Sequence, residues 1–282
     1  MAANPENAAR ERSRAVWDDM ATGWELARED IWANTQAVGE WLVRALDLRP
    51  GDTVLELAAG LGDTGFQAAR RVGDAGHVLI TDFAPAMVAA ARRRAAELDI
   101  TNAEFRVLDA ERMDLATDSV DDVVCRWGYM LMIDRSAAFA ETRRVLRPGG
   151  RLAFSVFAAP QHNPWASLIG RILVARGHLP PPDPTAPGIF ALADPDHIQK
   201  LVTRAGFAAP EIDQVPVHWR FADPEAYWHF LTEMAGAISP VLRSLPPEEQ
   251  SAVRAQLREA ITPFKQDGGY DLPGLCLNAV TS

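Results

Sequence analysis

The sequence contains little cysteine, and the cysteines that it has lie far apart. Only two of the 282 residues are cysteine, Cys125 and Cys276, and neither belongs to the paired CxxC spacing of a zinc site. Disulfide-rich secreted folds and zinc fingers are therefore not expected. We interpret both residues as core thiols of a protein from a reducing compartment.

Long apolar runs and an excess of positive charge are also missing. No segment approaches the roughly 18 uninterrupted apolar residues of a membrane span, and the polar N-terminus has no hydrophobic targeting segment. The formal net charge is −10 and the isoelectric point is near 5.1, so a nucleic-acid backbone would be repelled on average. We expect a cytoplasmic protein with a small-molecule substrate, which neither binds nucleic acid nor spans a membrane and which can form a homodimer. The run from Asp194 to His197 is interpreted as a helix start, so no metal site is predicted.

The spacing of apolar residues changes near residue 53. Before it, Trp17, Met20 and Trp24 recur at helical spacing, which predicts helices over residues 5 to 48. From 53 to 157, the apolar runs TVLEL, HVLIT, AEFRVL, VDDVVCRW and RLAFSVF alternate with helix-like stretches. This alternation predicts parallel βαβ units in a sheet that is covered on both faces.

Beyond residue 157 the pattern becomes irregular. Five prolines in LPPPDPTAPG, residues 179–188, exclude a helix or a central strand. Asp194 and Pro195 predict the N-cap and first turn of a helix that ends at Gly206. A strand in DQVPVHWRF, a further helical stretch and a last strand then complete the chain.

These elements predict an α/β fold with a Rossmann-like, seven-stranded, mostly parallel sheet, helices on both faces, N-terminal helices and helical lid insertions. In chain order, the predicted segments are an N-terminal helical cover (1–48), the ligand-binding Rossmann-like core (49–157), a proline-rich insertion (158–193), the rest of the core (194–222), a helical lid (223–267) and the last strand (268–282).

The stretch VLELAAGLGDTGFQ, residues 54–67, places a glycine-rich loop directly after the first strand. Glycine has no Cβ and tolerates positive φ, so a ligand can touch such a backbone. The letters GLGDTG also match the dinucleotide fingerprint, and Asp82 lies about 20 residues past Gly62, where a ribose-binding acid is expected. An NAD site and a purely structural glycine turn are therefore both alternatives for this loop.

Three acidic residues favour a different ligand. Glu56 lies inside the first strand, where its carboxylate suits a cation and would repel a pyrophosphate. Glu56, Asp82 and Asp109 all lie near carboxyl ends of predicted strands, the edge at which open α/β sheets bind ligands. We expect them to line one crevice. The structural alternatives are a helix N-cap for Asp82 and a solvated turn for Asp109.

Five stretches in order, VLELAAGLGDTG, TDFAPAMVAAAR, RVLDAERMD, WGYMLMIDRSAAFAETRRVLRPGG and LVTRAGF, resemble the successive motifs of class I S-adenosylmethionine-dependent methyltransferases. The resemblance covers residues 53–157 well and 194–207 more weakly. It is greatest to the group that contains the ubiquinone/menaquinone C-methyltransferases, in which alanine stands at the position of Ala58 where many other methyltransferases have glycine. The resemblance implies S-adenosyl-L-methionine as the cofactor.

The resemblance also implies a cofactor-binding set at the carboxyl edge of the sheet. The methionine moiety is expected at Glu56, Ala58, Gly60 and Gly62, and the ribose at Asp82. The adenine is expected at Phe83, Met87, Asp109 and Ala110, and the sulfonium near Arg126 and Trp127.

The catalytic residues are less well defined by the sequence. Methyl transfer is an in-line displacement that depends on positioning, and a general base adds roughly 100- to 10,000-fold for oxygen or activated carbon acceptors. Tyr129, which follows the fourth strand, is our candidate for an acceptor contact, with core packing as the alternative. His229 is our candidate base, with a solvent-facing position as the alternative. The remaining candidates for the base are His162, His178, His218 and Glu225.

Tryptophan is frequent in the segments predicted to cover the site. Such residues fill cores, but an aromatic-rich cover also suits a planar or apolar acceptor and excludes water. We predict methyl transfer to a small aromatic or lipophilic molecule. The alternatives are a nicotinamide-dependent oxidoreductase and a non-methylating S-adenosylmethionine-binding protein, either a cyclase or a regulator. The tryptophans concerned are Trp17, Trp24, Trp32, Trp165, Trp219 and Trp228.

Overall fold

A computed structural model describes residues 5–183 and 185–282 of the chain. The first four residues of the predicted helical cover, and Pro184 in the predicted proline-rich insertion, lie outside this described part. Strands occupy the positions that the apolar runs predict. In the described ranges, the eight strands are β1 (Thr53–Leu57), β2 (His77–Asp82), β3 (Ala103–Val107), β4 (Val120–Arg126), β5 (Leu146–Phe157), β6 (Glu211–Phe221), β7 (Lys265–Gln266) and β8 (Gly269–Thr281).

The strands form one sheet in the order β3-β2-β1-β4-β5-β8-β6, and the short β7 pairs with β8. Neighbouring strands from β3 to β5 pair in parallel, whereas β8 is antiparallel to both β5 and β6. The predicted mostly parallel, Rossmann-like sheet is confirmed, with β7 as an additional strand. β7 and β8 are joined at Asp267 and Gly268, with Gly268 at φ +91°, a sequence pair that favours tight hairpins.

Helices connect the strands and precede the sheet. Asp194 accepts a hydrogen bond from the Asp196 amide at 3.0 Å, which confirms the predicted N-cap. Over the residues that the structure describes, the ten α-helices are α1 (Pro5–Leu26), α2 (Arg28–Ala45), α3 (Asp63–Val72), α4 (Pro85–Glu97), α5 (Arg135–Val145), α6 (Pro164–Ala175), α7 (Pro195–Arg204), α8 (Pro224–Glu233), α9 (Ile238–Ser244) and α10 (Pro247–Ala260).

The sheet has two faces with different covers. Ser155 of β5, Asn278 of β8 and Asp213 of β6 are register partners across the sheet, so their side chains share one face. Trp41 of α2 donates a hydrogen bond to Asp213 at 3.0 Å, which identifies this face as the one that α2 covers; we call it the α2 face. Phe154 points to the opposite face and packs against Phe139 of α5.

Helix α1 does not contact the sheet in the same way as α2. It packs mainly along α4, and Trp24 also donates a hydrogen bond to the Met234 carbonyl beyond α8 at 3.2 Å. Asp18 of α1 accepts a hydrogen bond from the Ala86 amide at 2.9 Å, in the first turn of α4. α1 therefore lies across the carboxyl edge of the sheet, above the loops that follow β1 and β2.

Candidate functional site

The glycine loop between β1 and α3 has a backbone that few residues can adopt. Ala58, Gly60 and Gly62 all have positive φ, at 50°, 55° and 84°. Glycine adopts this region freely, but alanine does so only at a cost, which is typical of functional sites. The loop therefore has a strained and nearly side-chain-free backbone where a ligand is expected.

A second strained residue lies beside the first. Trp127, directly after β4, has φ 61°. A Cβ built on the next residue, Gly128, would lie only 2.6 Å from the Cβ of Ala58, so the ends of β1 and β4 are in close contact. Two non-glycine residues in left-handed conformations thus meet at the carboxyl edge of the sheet. This feature marks the site independently of the motifs.

Glu56 lies beneath this loop and is 2% exposed. Its carboxylate is next to the Gly65 amide in the first turn of α3, and a Cβ at Gly65 would overlap it. Burial raises the pKa of Glu56 to about 8, although Arg126 and the Gly65 amide act in the opposite direction. The Oε2 atom makes no hydrogen bond with any residue that the structure describes. A cation would therefore be stabilised here.

Asp82, at the end of β2, holds the glycine loop in place. Its carboxylate accepts hydrogen bonds from the Gly60 amide at 2.8 Å and from the Ala84 amide at 2.9 Å. The N-cap of α4 is Ala84, without a side-chain capping hydrogen bond, so the alternative that Asp82 is the N-cap of this helix is wrong. Burial raises the pKa of Asp82, against the effect of these amides. Each carboxylate oxygen keeps a lone pair, so ribose hydroxyls remain acceptable partners.

Asp109, after β3, is held by a residue that sequence reasoning did not identify. Its carboxylate accepts from the Glu111 amide at 2.9 Å and pairs with Arg10 of α1 at 3.2 Å. Arg10 also pairs with Glu111. α1 is therefore fastened over the end of the crevice at which the adenine is expected. Ala110, between the two acids, is half-buried.

Apolar residues of α1 also cover the loops after β1 and β2. Met87 of α4 is buried in a small cluster with Leu61 and Ala21, against which Trp17 and Trp24 pack. Phe83, beside this cluster, is half-buried. These residues lie where the resemblance implies the adenine, and α1 covers them.

Arg126 and Trp127 lie at the other end of the crevice, after β4. Arg126 donates a hydrogen bond to the Thr64 hydroxyl at 3.1 Å, and its guanidinium lies 4.9 Å from the centroid of the Trp127 ring. Burial lowers the pKa of Arg126, while Asp63 and Glu56 oppose this shift. The end of the crevice at which the sulfonium is expected therefore contains a guanidinium beside an indole.

The two predicted catalytic residues do not lie in this crevice, and both predictions need correction. Tyr129 is fully buried, stacks on Phe139 at 4.1 Å between ring centroids and bonds to the Thr142 hydroxyl at 2.6 Å. Its side chain packs on the α5 side of the sheet. His229 is exposed on α8, whose buried residues are Tyr227, Phe230 and Leu231. Core packing and a solvent-facing position, the alternatives to catalysis, describe these two residues.

Three other predicted bases form ion pairs away from the loops that follow β1 to β4. His178 and Glu249 form a pair at 2.9 Å, as do His218 and Asp271. Glu225 pairs with arginines of α10. These pairs join α8 to α10, the residues after α6 to α10, and β6 to β8.

An aromatic cluster extends from the end of β4 to α8. Trp127 stacks on Phe157 with ring centroids 4.6 Å apart, and Trp165 of α6 stacks on Trp219 of β6 at 4.3 Å. Phe157 and Trp165 join the two pairs at 5.0 Å, and Phe230 of α8 lies 5.2 Å from Trp219. We call these five residues the aromatic wall. It begins at the residue that follows Arg126, and its five members are buried, as the core-packing alternative for tryptophan predicts.

Both cysteines are buried, as predicted. Burial raises the pKa of each thiol to about 12. Among residues 5–183 and 185–282, no cluster of three histidine, cysteine, aspartate or glutamate side chains is arranged to hold a metal. None of the helices in these ranges is both long and apolar enough to cross a membrane.

Comparison with known proteins places this geometry in a family. Residues 54–150 match a methyltransferase domain. Over 186 residues the chain is 34% identical to the ubiquinone/menaquinone biosynthesis C-methyltransferase of Acidiphilium cryptum, a match that covers 61% of this chain and 72% of that protein. The chain is also 33% identical over 165 residues to an arsenite methyltransferase of Halobacterium salinarum. This second match covers 58% of this chain but only 39% of the relative.

Solved structures show the same fold. The crystal structure of the YcgJ protein from Bacillus subtilis aligns with a TM-score of 0.61 at 17% identity, covering 87% of this chain and 97% of that chain. These matches favour S-adenosyl-L-methionine over a dinucleotide as the cofactor. The chain belongs to the class I S-adenosylmethionine-dependent methyltransferases, whose cofactor is S-adenosyl-L-methionine.

Proposed function

We propose that the protein transfers the methyl group of S-adenosyl-L-methionine to a small, planar and largely apolar acceptor. The observation that carries this proposal is the position of the aromatic wall, which starts at Trp127 and continues from the Arg126 end of the cofactor crevice toward α8. Aromatic side chains provide flat apolar contact area and exclude water. An acceptor held there would face the expected position of the sulfonium.

The residues of the crevice fit the cofactor. The Oε2 atom of Glu56 is buried without a hydrogen-bond partner in the described ranges, and an ammonium group would supply one. The left-handed backbone at Gly60 and Gly62 leaves room for a carboxylate to approach peptide amides. Asp82, which accepts a hydrogen bond from the Gly60 amide, would also accept hydrogen bonds from the ribose hydroxyls. When bound, the cofactor supplies an electrophilic methyl group; these side chains bind and orient it.

The acceptor itself is not transferred from the relatives. The names of the two relatives refer to quinone biosynthesis in one case and to arsenite in the other, so similarity over the cofactor domain leaves the acceptor open. The aromatic wall lies largely outside residues 54–150, which match the domain. It is therefore the part of this chain that is expected to select the acceptor.

Catalysis is proposed to rest on positioning and on exclusion of water. Tyr129 is engaged with Thr142 in the core and His229 is exposed, so neither is proposed as a general base. In-line transfer requires the nucleophile, the methyl carbon and the sulfur to be aligned at near-attack distance. The aromatic wall and α1 would close the crevice and fix this alignment.

Purified protein incubated with methyl-labelled cofactor tests the proposal. The acceptor panel contains phenols, quinols and aromatic carboxylates, with aliphatic amines and alcohols of similar size as controls. We expect label only in planar acceptors, and we expect Trp165→Ala to raise their KM. Transfer to the aliphatic controls alone would contradict the proposed acceptor class. Binding of S-adenosylhomocysteine without transfer to any acceptor would instead favour a cyclase or a regulator.

A further inference from the structure

We infer that the acceptor is an anion whose negatively charged oxygen binds Arg126, between the expected position of the sulfonium and the aromatic wall. This inference rests on the proposed function and narrows its substrate class from planar molecules to planar oxyanions, such as phenolates, enolates and aromatic carboxylates. Three observations carry it: an arginine without an ion pair, further buried donors without acceptors, and their common position on the α2 face.

The Arg126 guanidinium has no ion-pair partner among the residues that the structure describes. Its Nε atom donates to the neutral Thr64 hydroxyl, and its Nη1 atom is buried without a hydrogen-bond partner in the described ranges. Asp63 and Glu56 act on it only at longer range. Arginine stays protonated in proteins, and buried charges are normally paired. An anionic ligand would complete this site.

Two further buried donors on the same face lack acceptors. Trp219 is 3% exposed and Asn278 is 0% exposed, yet the Trp219 indole Nε1 and the Asn278 amide Nδ2 make no hydrogen bond with any residue in the described part. The other end of the Asn278 amide is used, because its Oδ1 accepts from the Ser155 hydroxyl at 2.6 Å. Both unpartnered groups are N–H donors, as is Arg126 Nη1. Together they favour a ligand that presents oxygen acceptors.

The sheet register brings Arg126 and Asn278 close together, and a ring contact with Trp127 places Trp219 next to the Arg126 end of the aromatic wall. Arg126 is the register partner of Ser155, and Ser155 is the register partner of Asn278. Cys276 lies beside Ser155, Trp127 and Arg126. The Trp127 and Trp219 rings are 6.3 Å apart. Arg126 therefore lies at the Trp127 end of the aromatic wall, so a planar acceptor could pack against this end while its oxygen meets the guanidinium.

An anionic acceptor needs no general base, which agrees with a site in which none of our candidate bases is proposed to act. A cationic neighbour lowers the pKa of a phenol or enol, so the acceptor would lose its proton to solvent before transfer. One lone pair of the anion then forms a bond to the methyl carbon, and the carbon–sulfur bond breaks with its electron pair moving to sulfur. Charge balances, since an anion and a sulfonium give two neutral centres. A cationic acceptor would instead be repelled by Arg126.

The test measures how tightly matched aromatic probes bind in the presence of S-adenosylhomocysteine. Binding is monitored by the quenching of tryptophan fluorescence. Benzoate and 4-hydroxybenzoate are compared with benzamide and 4-hydroxybenzamide, which are neutral and of nearly the same shape. We expect the wild-type protein to bind the anions about tenfold or more tightly than the amides. Arg126→Gln should abolish this preference, and Trp219→Phe should weaken binding of the anions while retaining the aromatic ring.

Trp41→Phe is the matched control for Trp219→Phe, because the Trp41 indole already donates to Asp213 and its loss should leave the preference unchanged. Equal binding of anions and amides by the wild-type protein would overturn the inference. So would an unchanged preference in both Arg126→Gln and Trp219→Phe, with circular dichroism showing that the variants are folded. If the preference is present but no planar acceptor is methylated, the proposed function fails while the oxyanion site stands.

Discussion

Arg10 of α1 and Asp109 after β3 form an ion pair of 3.2 Å, although they are 99 positions apart in the sequence. Arg10 is 8% exposed and also pairs with Glu111. Glu111 in turn accepts from the amides of Ile133 and Asp134, at 2.8 and 2.9 Å. One arginine on the N-terminal helix thus connects to the loops after β3 and β4, at the end of the crevice where adenine is expected.

This ion pair predicts that α1 controls cofactor exchange. Arg10→Ala should increase the dissociation rate of S-adenosylhomocysteine by about fivefold or more, because opening of a closed cover limits many release steps. Stopped-flow fluorescence measures the rate. Glu25→Ala is the control, since the Glu25–Arg93 pair joins α1 to α4 at an exposed position, and exposed pairs contribute only about 0 to 1 kcal/mol. Equal rates in Arg10→Ala and wild type would show that α1 does not gate the crevice.

Glu56 predicts a pH dependence of cofactor binding. Its pKa is about 8 in the unliganded protein, so a large part of the carboxyl is protonated near neutrality. A bound cation favours the ionised form, so binding should release a proton and affinity should rise as the pH increases from about 6 to 8. Calorimetry in buffers of different ionisation enthalpy measures the proton release. Glu56→Gln should bind weakly, with an affinity that does not change over this range.

The Glu56 carboxyl also predicts that the stability of the unliganded protein falls as the pH rises, whereas cofactor affinity rises. The folded pKa of about 8 lies above the unfolded value of 4.5, so the fold favours the protonated form. Its contribution to stability is complete below pH 4.5 and is lost as the pH rises through 8. Unliganded Glu56→Gln should therefore be more stable than the wild type at pH 9, by roughly 2 to 4 kcal/mol. Urea unfolding at pH 5 and pH 9 measures this; an equal stability difference at both values would contradict it.

Some features of the site could be predicted from the sequence because they depend on local order along the chain. A strand followed by glycines, and acids at the ends of successive strands, have one arrangement once the strands are parallel. Glu56, Asp82 and Asp109 therefore lie along one edge, as expected. Gly65 belongs to the same motif, but glycine is needed there for a reason that the dinucleotide fingerprint does not give. Its missing Cβ leaves room for the Glu56 carboxylate.

Other features depend on contacts that the sequence does not encode locally. Trp127 has a positive φ, and the chain then enters the single-turn helix Tyr129–Leu131, so alternation along β4 does not give the direction of Tyr129. Arg10 belongs to no sequence motif, because its partners Asp109 and Glu111 lie about 100 residues further along the chain, after β3. The unpartnered donor at Asn278 depends on the pairing of β5 with β8. Only the assembled sheet brings these groups together.

Asp82 predicts a coupled loss of loop order and cofactor affinity. In Asp82→Asn only one acceptor oxygen remains for the two amides of Gly60 and Ala84. One of these amides then faces the NH2 group of asparagine. Affinity for S-adenosylhomocysteine should fall by about 1.5 to 3 kcal/mol, measured by calorimetry. Asp194→Asn is the matched control, because asparagine caps a helix about as well as aspartate. Unchanged affinity in Asp82→Asn would remove Asp82 from the binding site.

Tyr129 provides the contrast between a residue of the core and a residue of the site. Its hydroxyl contacts Thr142, which itself donates to the Ala138 carbonyl at 2.8 Å, so the Tyr129 hydroxyl is the donor of the buried pair. Tyr129→Phe removes this donor and keeps the ring stacked on Phe139. The free energy of unfolding should fall by about 1 to 2 kcal/mol, while kcat and the acceptor KM should stay within about twofold of wild type. Thr142→Val removes the same hydrogen bond from the other side and should give the same pattern. A drop in kcat for Tyr129→Phe that Thr142→Val does not share would return Tyr129 to the acceptor side of the sheet, against the packing observed here.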